Sequence, residues 1–233
     1  MATLDLQEQE QIDAIKGWWK ENGKWLLLFL VVVVGGFAAV RGWQSYQHNQ
    51  KSGAAILYTE LEQQISSKDP KRINDAAAAV MDKFSATPYA PRAALLAAQV
   101  NIHVADLARA KTQLQWVIDH ADESGLKHVA RLKLASVLLD EKKYADALQL
   151  LNAPADDAFE SLYADLKGDV LSAQGKQDEA RTAYQKALNK VDAQSQYRNL
   201  IQMKLDALGG DSVAVTAPSV VSPSGVPASE SVQ

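Results

Sequence analysis

The stretch ADLKGDVLSAQGKQDEARTAYQKA, residues 164–187, decides the fold. Gly168 is followed by Leu171 three residues later, by a turn glycine at Gly175, and then by Ala180, Tyr184 and Ala187. On two helices joined at Gly175, the small residues Gly168 and Ala180 let the backbones approach, while Leu171 and Tyr184 fill the space beside them. Such a hairpin buries one face only if a neighbour stacks on it, so the pattern should recur. Working upstream it does, more loosely. Ala135, Leu138, Tyr144, Ala147 and Leu151 keep the phase, and Ala98, Leu107, Ala110, Leu114 and Val117 keep it one unit earlier.

The marker alanines fall at 110, 147 and 180, steps of 37 and 33 around a period of about 34 that matches the tetratricopeptide pattern. The reading is all-α: one N-terminal transmembrane helix, then a tetratricopeptide-like α-solenoid of helical hairpins with a C-terminal capping helix. Periodic segments lie near 44–66, 70–84, 91–104, 106–121, 126–139, 144–152, 157–174, 177–190 and 194–208, with Pro70, Pro88, Pro91 and Pro154 between them. The last carries Tyr197, Leu200, Ile201, Leu205 and Leu208 on one side and stops at Gly209-Gly210, as a terminal cap does. With one good repeat and two degenerate ones, an irregular helical bundle stays open beside the solenoid.

Upstream of the hairpins, Trp25 to Val40 reads WLLLFLVVVVGGFAAV, free of charge between Lys24 and Arg41. As a helix it spans roughly 24 Å at about 1.5 Å per residue. That falls slightly short of a hydrocarbon core of about 30 Å. Snorkelling of Lys24 and Arg41 closes the gap. Trp25 and Trp43, about 27 Å apart, sit where interfacial aromatics belong. The strongly apolar positions favour insertion by roughly 3–7 kcal/mol. A cleaved signal peptide fits poorly, because its leading segment would carry Asp5, Glu8, Glu10, Asp13 and Glu21. A soluble core helix fits poorly too, because the run has no polar face.

The domain boundaries expected are a cytoplasmic segment 1–24, a transmembrane helix 25–43, a periplasmic helical domain 44–208 and a disordered Ser/Pro/Val-rich tail 209–233. Lys16, Lys20 and Lys24 before the span against Arg41 and Lys51 after it give a slight positive-inside bias, so the N-terminus is expected inside. Ile12, Ile15 and Trp19 could form a short surface helix that Asn22-Gly23 ends before the span, although a flexible segment reads equally well. Gly35 and Ala39 form a small-x-x-x-small pair, a candidate membrane helix contact beside the plainer reading of a lipid-facing helix.

Composition narrows the function. Lys plus Arg number 24 and Asp plus Glu 28, a net charge of −4. That balance offers no general attraction for nucleic acid. Without cysteine there is no thiolate zinc site, iron–sulfur cluster or cysteine nucleophile. His103, His120 and His128 fall on separate helices, and no metalloprotease, dinucleotide, phosphate-loop or serine-hydrolase signature occurs. Asp156-Asp157 and Asp178-Glu179 stand at helix starts, where the macrodipole favours acids. The reading is therefore non-enzymatic, with no catalytic residue, metal or cofactor.

A helical-repeat stack instead offers a face lined by the first helix of each hairpin. The inward positions are Arg92, Leu95, Gln99, Ile102, His103, Leu132, Ser136, Leu139, Asp165 and Asp169, a mixed set suited to weak binding of varied segments. A purely structural use of that face stays open.

Further sequence details carry a resemblance. Glu21-Asn22-Gly23-Lys24 precedes the span directly. Leu126-Lys127-His128-Val129-Ala130-Arg131-Leu132-Lys133-Leu134-Ala135, Ala164-Asp165-Leu166-Lys167-Gly168-Asp169 and Gln202-Met203-Lys204-Leu205 follow in order. In these, and in their spacing around one span, the chain resembles the YfgM family, ancillary subunits of the bacterial SecYEG translocon, over about residues 8–208. The resemblance implies an inner-membrane protein with a short cytoplasmic N-terminus and a periplasmic tetratricopeptide-like domain. The partners it implies are SecYEG, a membrane-anchored periplasmic chaperone of the peptidyl-prolyl isomerase type, unfolded translocated proteins and membrane lipid. It implies no catalytic residues or cofactors. The Ser/Pro/Val tail departs from the shorter family ending. A tethered scaffold for another cell-envelope complex is the alternative function.

Overall fold

The computed structural model describes residues 2–209, without the side chains of 2–10 and 13–15. The expected tail beyond Gly209 lies outside the described residues. Those described form helices and no strand: α1 (Ala2–Ile65), α2 (Pro70–Lys83), α3 (Tyr89–His103), α4 (Leu107–His120), α5 (Ser124–Asp140), α6 (Tyr144–Leu151), α7 (Asp157–Ala173), α8 (Gln177–Lys190) and α9 (Gln196–Ala207). Every periodic segment of the sequence has its helix. Pro91 lies inside the first turn of α3 rather than between helices, where its missing N–H costs nothing.

Helix α1 departs from expectation at Asn22-Gly23, where it continues without a break. Two local contacts account for this. Asn22 donates from Nδ2 to the Trp18 carbonyl at 3.2 Å, and the Trp19 indole lies over Gly23, where a Cβ would stand 3.2 Å from it. The indole covers the backbone that a glycine otherwise exposes, which offsets part of its helix penalty. Further along, Trp25, Leu27, Phe29, Leu30, Val32 and Phe37 are all exposed. No protein packs on them, so the soluble core helix is excluded. Among the described residues, α1 is the one helix long and apolar enough to cross a membrane.

The helices fall into two compact units that divide between Leu126 and Lys127, in the first turn of α5. In the first unit the C-terminal part of α1 packs with α2 and α3, and α3 with α4. Leu61 of α1, Ile73, Ala77 and Val80 of α2, and Ala90, Ala93 and Ala97 of α3 form its core. Burying a leucine such as Leu61 contributes about 1.5–3 kcal/mol. Gly53 is where α1 meets the end of α2, since a Cβ there would stand 2.7 Å from Cζ of Phe84. Asp69 starts α2 by accepting at Oδ1 from the N–H of Lys71 at 3.0 Å, with Pro70 as the first helical residue. Asp106 caps α4 by accepting from the N–H of Arg109 at 3.1 Å.

In the second unit α7 and α8 form the closest hairpin, with α6 against α7 and α9 against α8. Ala164, Leu171, Ala180, Tyr184, Ala187, Leu188, Ile201 and Leu205 form its core. The marker alanines Ala110, Ala147 and Ala180 all have 0% exposure, the burial that a close-approach role requires. Leu200 of α9 does not join the cap's buried side; it faces out, beside the buried Ile201.

Candidate functional site

On α3, Arg92 donates to the Pro88 carbonyl at 2.6 Å and pairs with Glu123 at 2.9 Å. Leu95, Gln99 and Ile102 are half-buried beyond it, and His103 is exposed with Nδ1 2.9 Å from the Gln99 carbonyl oxygen. These positions share one mixed surface on one helix. On α5, Leu132 and Leu139 are half-buried and Ser136 is exposed. In the apolar part of α1, nothing lies within 4 Å of the place where a Cβ on Gly35 would stand, and Ala39 is exposed, so both are open to a neighbouring helix.

Asp165 and Asp169 differ from the expected open face. Asp165 is 3% exposed. Lys204 of α9 donates to Asp165 Oδ2 at 2.7 Å and to Asp169 Oδ2 at 2.8 Å. Tyr197 donates to Asp165 at 2.6 Å, and Tyr184 donates to Asp169 at 2.8 Å. The physical reason is neutralisation: two carboxylates one helical turn apart need a cation, and α9 supplies it. Burial alone would lower the Lys204 pKa, but the hydrogen bonds and charges of Asp165 and Asp169 outweigh it and hold Lys204 above its ordinary value. Burial also pushes both tyrosines up, and the hydrogen bonds to Asp169 for Tyr184 and Asp165 for Tyr197 add to it. Sequence reasoning placed Asp165, Asp169 and Lys204 on helices but not the contact between them. The available signal was a lone lysine among the apolar residues of the cap.

Two further polar clusters went unread in the sequence. Asn101, 1% exposed, exchanges hydrogen bonds with Asn74 at 2.8 and 2.9 Å and donates to Gln113 at 2.7 Å, tying α2, α3 and α4. His128, also buried, has Nδ1 3.0 Å from the Tyr163 hydroxyl and Nε2 3.3 Å from Asp156 Oδ2, with its ring stacked on Phe159. It ties α5 to α7 with both ring nitrogens satisfied. Among the described residues no group of three or more His, Asp or Glu is placed to hold a metal ion.

The arrangement joins an apolar helix to a series of helical hairpins. Residues 16–210 match the family model for a tetratricopeptide repeat-like domain. The chain is 33% identical over 204 residues to an ancillary SecYEG translocon subunit of Neisseria gonorrhoeae, covering 87% of this chain and 98% of that one. It is 29% identical over 204 residues to the protein of the same name in Escherichia coli K12, covering 86% and 96%. Among solved structures, MamA from residue 41 onward of Desulfovibrio magneticus RS-1 superposes with a TM-score of 0.50 at 16% identity, over 67% of this chain and 89% of that one, which speaks for the fold alone. With an apolar helix that runs unbroken into a tetratricopeptide-like stack, and relatives that match it over nearly their whole length, the chain belongs to the YfgM family of ancillary SecYEG translocon subunits.

Proposed function

We propose that the chain is a non-enzymatic accessory subunit of the SecYEG translocon that holds its helical-repeat domain near the channel exit. There it binds chaperone partners, among them a membrane-anchored peptidyl-prolyl isomerase, and newly translocated proteins. In this reading residues 25–43 span the inner membrane, residues 1–24 stay in the cytoplasm and the hairpins stand in the periplasm. One observation carries it: the apolar segment and Leu61, a fully buried core residue of the first unit, belong to the same helix α1. An anchor continuous with the domain core keeps the binding face within reach of whatever lies beside the span, and that local concentration makes weak contacts useful. The faces proposed for partners are Arg92, Leu95, Gln99, Ile102 and His103 on α3, and Leu132, Ser136 and Leu139 on α5. Gly35 and Ala39 are proposed as the membrane helix contact. Asp165 and Asp169 serve by holding α9 in place.

Photocrosslinking side chains at Leu95, Ile102 and Leu139 test this in cells. Labelling of SecYEG subunits or chains in transit is expected; labelling confined to other envelope complexes would overturn it. The chain contains no cysteine. Single Ser45→Cys and Ser172→Cys variants therefore report topology to a membrane-impermeant maleimide. Both should react in intact spheroplasts, and protection of Ser172→Cys would reverse the orientation.

A further inference from the structure

The second unit contains a cleft of about 660 Å³ beside the end of α6, between α7 and α8. Its walls repeat one pattern. Tyr163, Ala164 and Lys167 face it from α7, and Thr182, Ala183 and Lys186 face it from α8, each set spaced i, i+1, i+4. That spacing is one stripe of a helix, so the cleft is a groove flanked by two helical stripes. Ala164 and Ala183 keep the floor shallow enough for a third helix to approach.

The cleft has a structural origin. Helix α6 has eight residues, whereas α4 and α8, the second helices of their hairpins, have fourteen. Its Leu148 packs on the α7–α8 core and Leu151 closes one end of the cleft. Pro154 follows three residues later and cannot continue a helix, and Ala153 before it is pushed towards extended backbone. Lys167 pins the turn by donating to Asn152 Oδ1 at 3.0 Å. The two turns that α6 lacks would have filled this space.

Charge narrows the occupant. Glu160, also on the cleft wall, is paired with Lys190, and the charge of Lys186 acts on it as well, which leaves Lys167 as the main cation for an acidic partner. Glu179 has Lys176 at 3.6 Å. Lys167 and Lys186 stand on opposite walls, and the cation at 167 faces only the neutral Asn152 amide in the hydrogen bonds of the cleft.

We propose that this cleft docks a short amphipathic helix of a partner protein, which replaces the missing turns of α6. The partner helix presents two apolar residues three or four positions apart to the alanine floor and an acidic residue to Lys167 and Lys186. This goes beyond the accessory role and does not depend on which complex the chain joins. It also uses the side of the hairpin away from Asp165 and Asp169.

The test is a selection of helix-forming peptides of about twelve residues, displayed as a library with randomised faces, against the full chain in lipid nanodiscs. Enriched peptides should carry the apolar pair with an Asp or Glu beside it. Their affinity should fall about tenfold on Thr182→Trp, which fills the mouth from an exposed position. Lys186→Glu should weaken acidic peptides and strengthen their Lys-substituted versions, a reversal that damage to the fold would not produce. Circular dichroism melting checks both variants. Enrichment of extended or proline-rich peptides, of peptides indifferent to both substitutions, or of none above the Thr182→Trp background would overturn the proposal. Failure here leaves the SecYEG crosslinks of Leu95, Ile102 and Leu139 untouched, so the two readings can fail separately.

Discussion

Gly168 of α7 lies directly beneath the ring of Tyr184 on α8: a Cβ at position 168 would stand 2.6 Å from Cδ1 of that tyrosine. The ring is the buried body of the core rather than a loose end, since Tyr184 is 3% exposed and its hydroxyl is fixed to Asp169 at 2.8 Å. Gly168→Ala should therefore cost about 1–3 kcal/mol through overpacking, although alanine is the better helix former. Urea unfolding of the detergent-solubilised chain measures this. An unchanged midpoint would mean that the two helices can separate without cost.

Removing Lys204 should be more costly than its partial exposure suggests. Lys204→Met would leave the Asp165 and Asp169 carboxylates facing each other without their cation, at roughly 2–4 kcal/mol. Combining Lys204→Met with Asp165→Asn and Asp169→Asn should recover much of that loss, because the buried charges go with it. Hydrogen exchange of α9 amides is the direct readout: release of α9 in the single variant and its return in the triple one.

The same cluster sets an alkaline limit. Tyr184, Tyr197 and Lys204 all hold their protons more tightly folded than unfolded. Each therefore contributes stability that is complete below its ordinary pKa of about 10 and is lost as pH rises towards the folded value. Melting temperature should fall from about pH 10 upward. Tyr197→Phe should lower stability near neutrality while making that alkaline fall shallower.

The turns offer stabilising changes. Ala105, Lys142 and Gly175 occupy the same place in three hairpins, five residues before the marker alanines, with φ of 59°, 59° and 78°. The residue after each donates to the carbonyl five residues earlier: Asp106 to Asn101 at 2.9 Å, Lys143 to Leu138 at 2.8 Å and Lys176 to Leu171 at 3.0 Å. These are matching helix-end motifs, and only the third uses the residue that tolerates left-handed backbone freely. Ala105→Gly and Lys142→Gly should each stabilise by a few tenths to about 1 kcal/mol, read as a higher urea midpoint. A loss at both positions would contradict the strain argument.

Asn101 tests the polar tie of the first unit. Asn101→Ala would take one hydrogen-bond partner each from the half-buried Asn74 and Gln113, which keep their own bond at 2.9 Å, so the cost should be about 0.5–1.5 kcal/mol. Asn101→Asp should cost more, because it adds an unpaired charge there. Urea midpoints of the two variants, set against the unaltered chain, check the order.

Much of this was legible in single positions. Gly168, Ala180, Tyr184 and Ala187 announce their hairpin because close approach and filling demand particular sizes at particular spacings. Pro70 and Pro154 mark helix limits because proline removes a donor. Ala105 and Lys142 hid their turns, since neither residue type advertises left-handed backbone. Asn22-Gly23 misled for a related reason. A breaker dipeptide exposes backbone when isolated, but here Trp19 covers the glycine and Asn22 turns back on Trp18.

By itself the sequence determined the all-helical class, the repeat phase, the family and the long apolar segment of α1. Periodicity and residue size act locally, so one chain records them fully. Only the tertiary structure decided that α9 neutralises Asp165 and Asp169, that α1 passes without a break into the core of the first unit, and that the short α6 leaves a groove between α7 and α8. Those outcomes depend on which surfaces meet across long stretches of chain. Charge pairing and packing select among such meetings only once the helices are side by side.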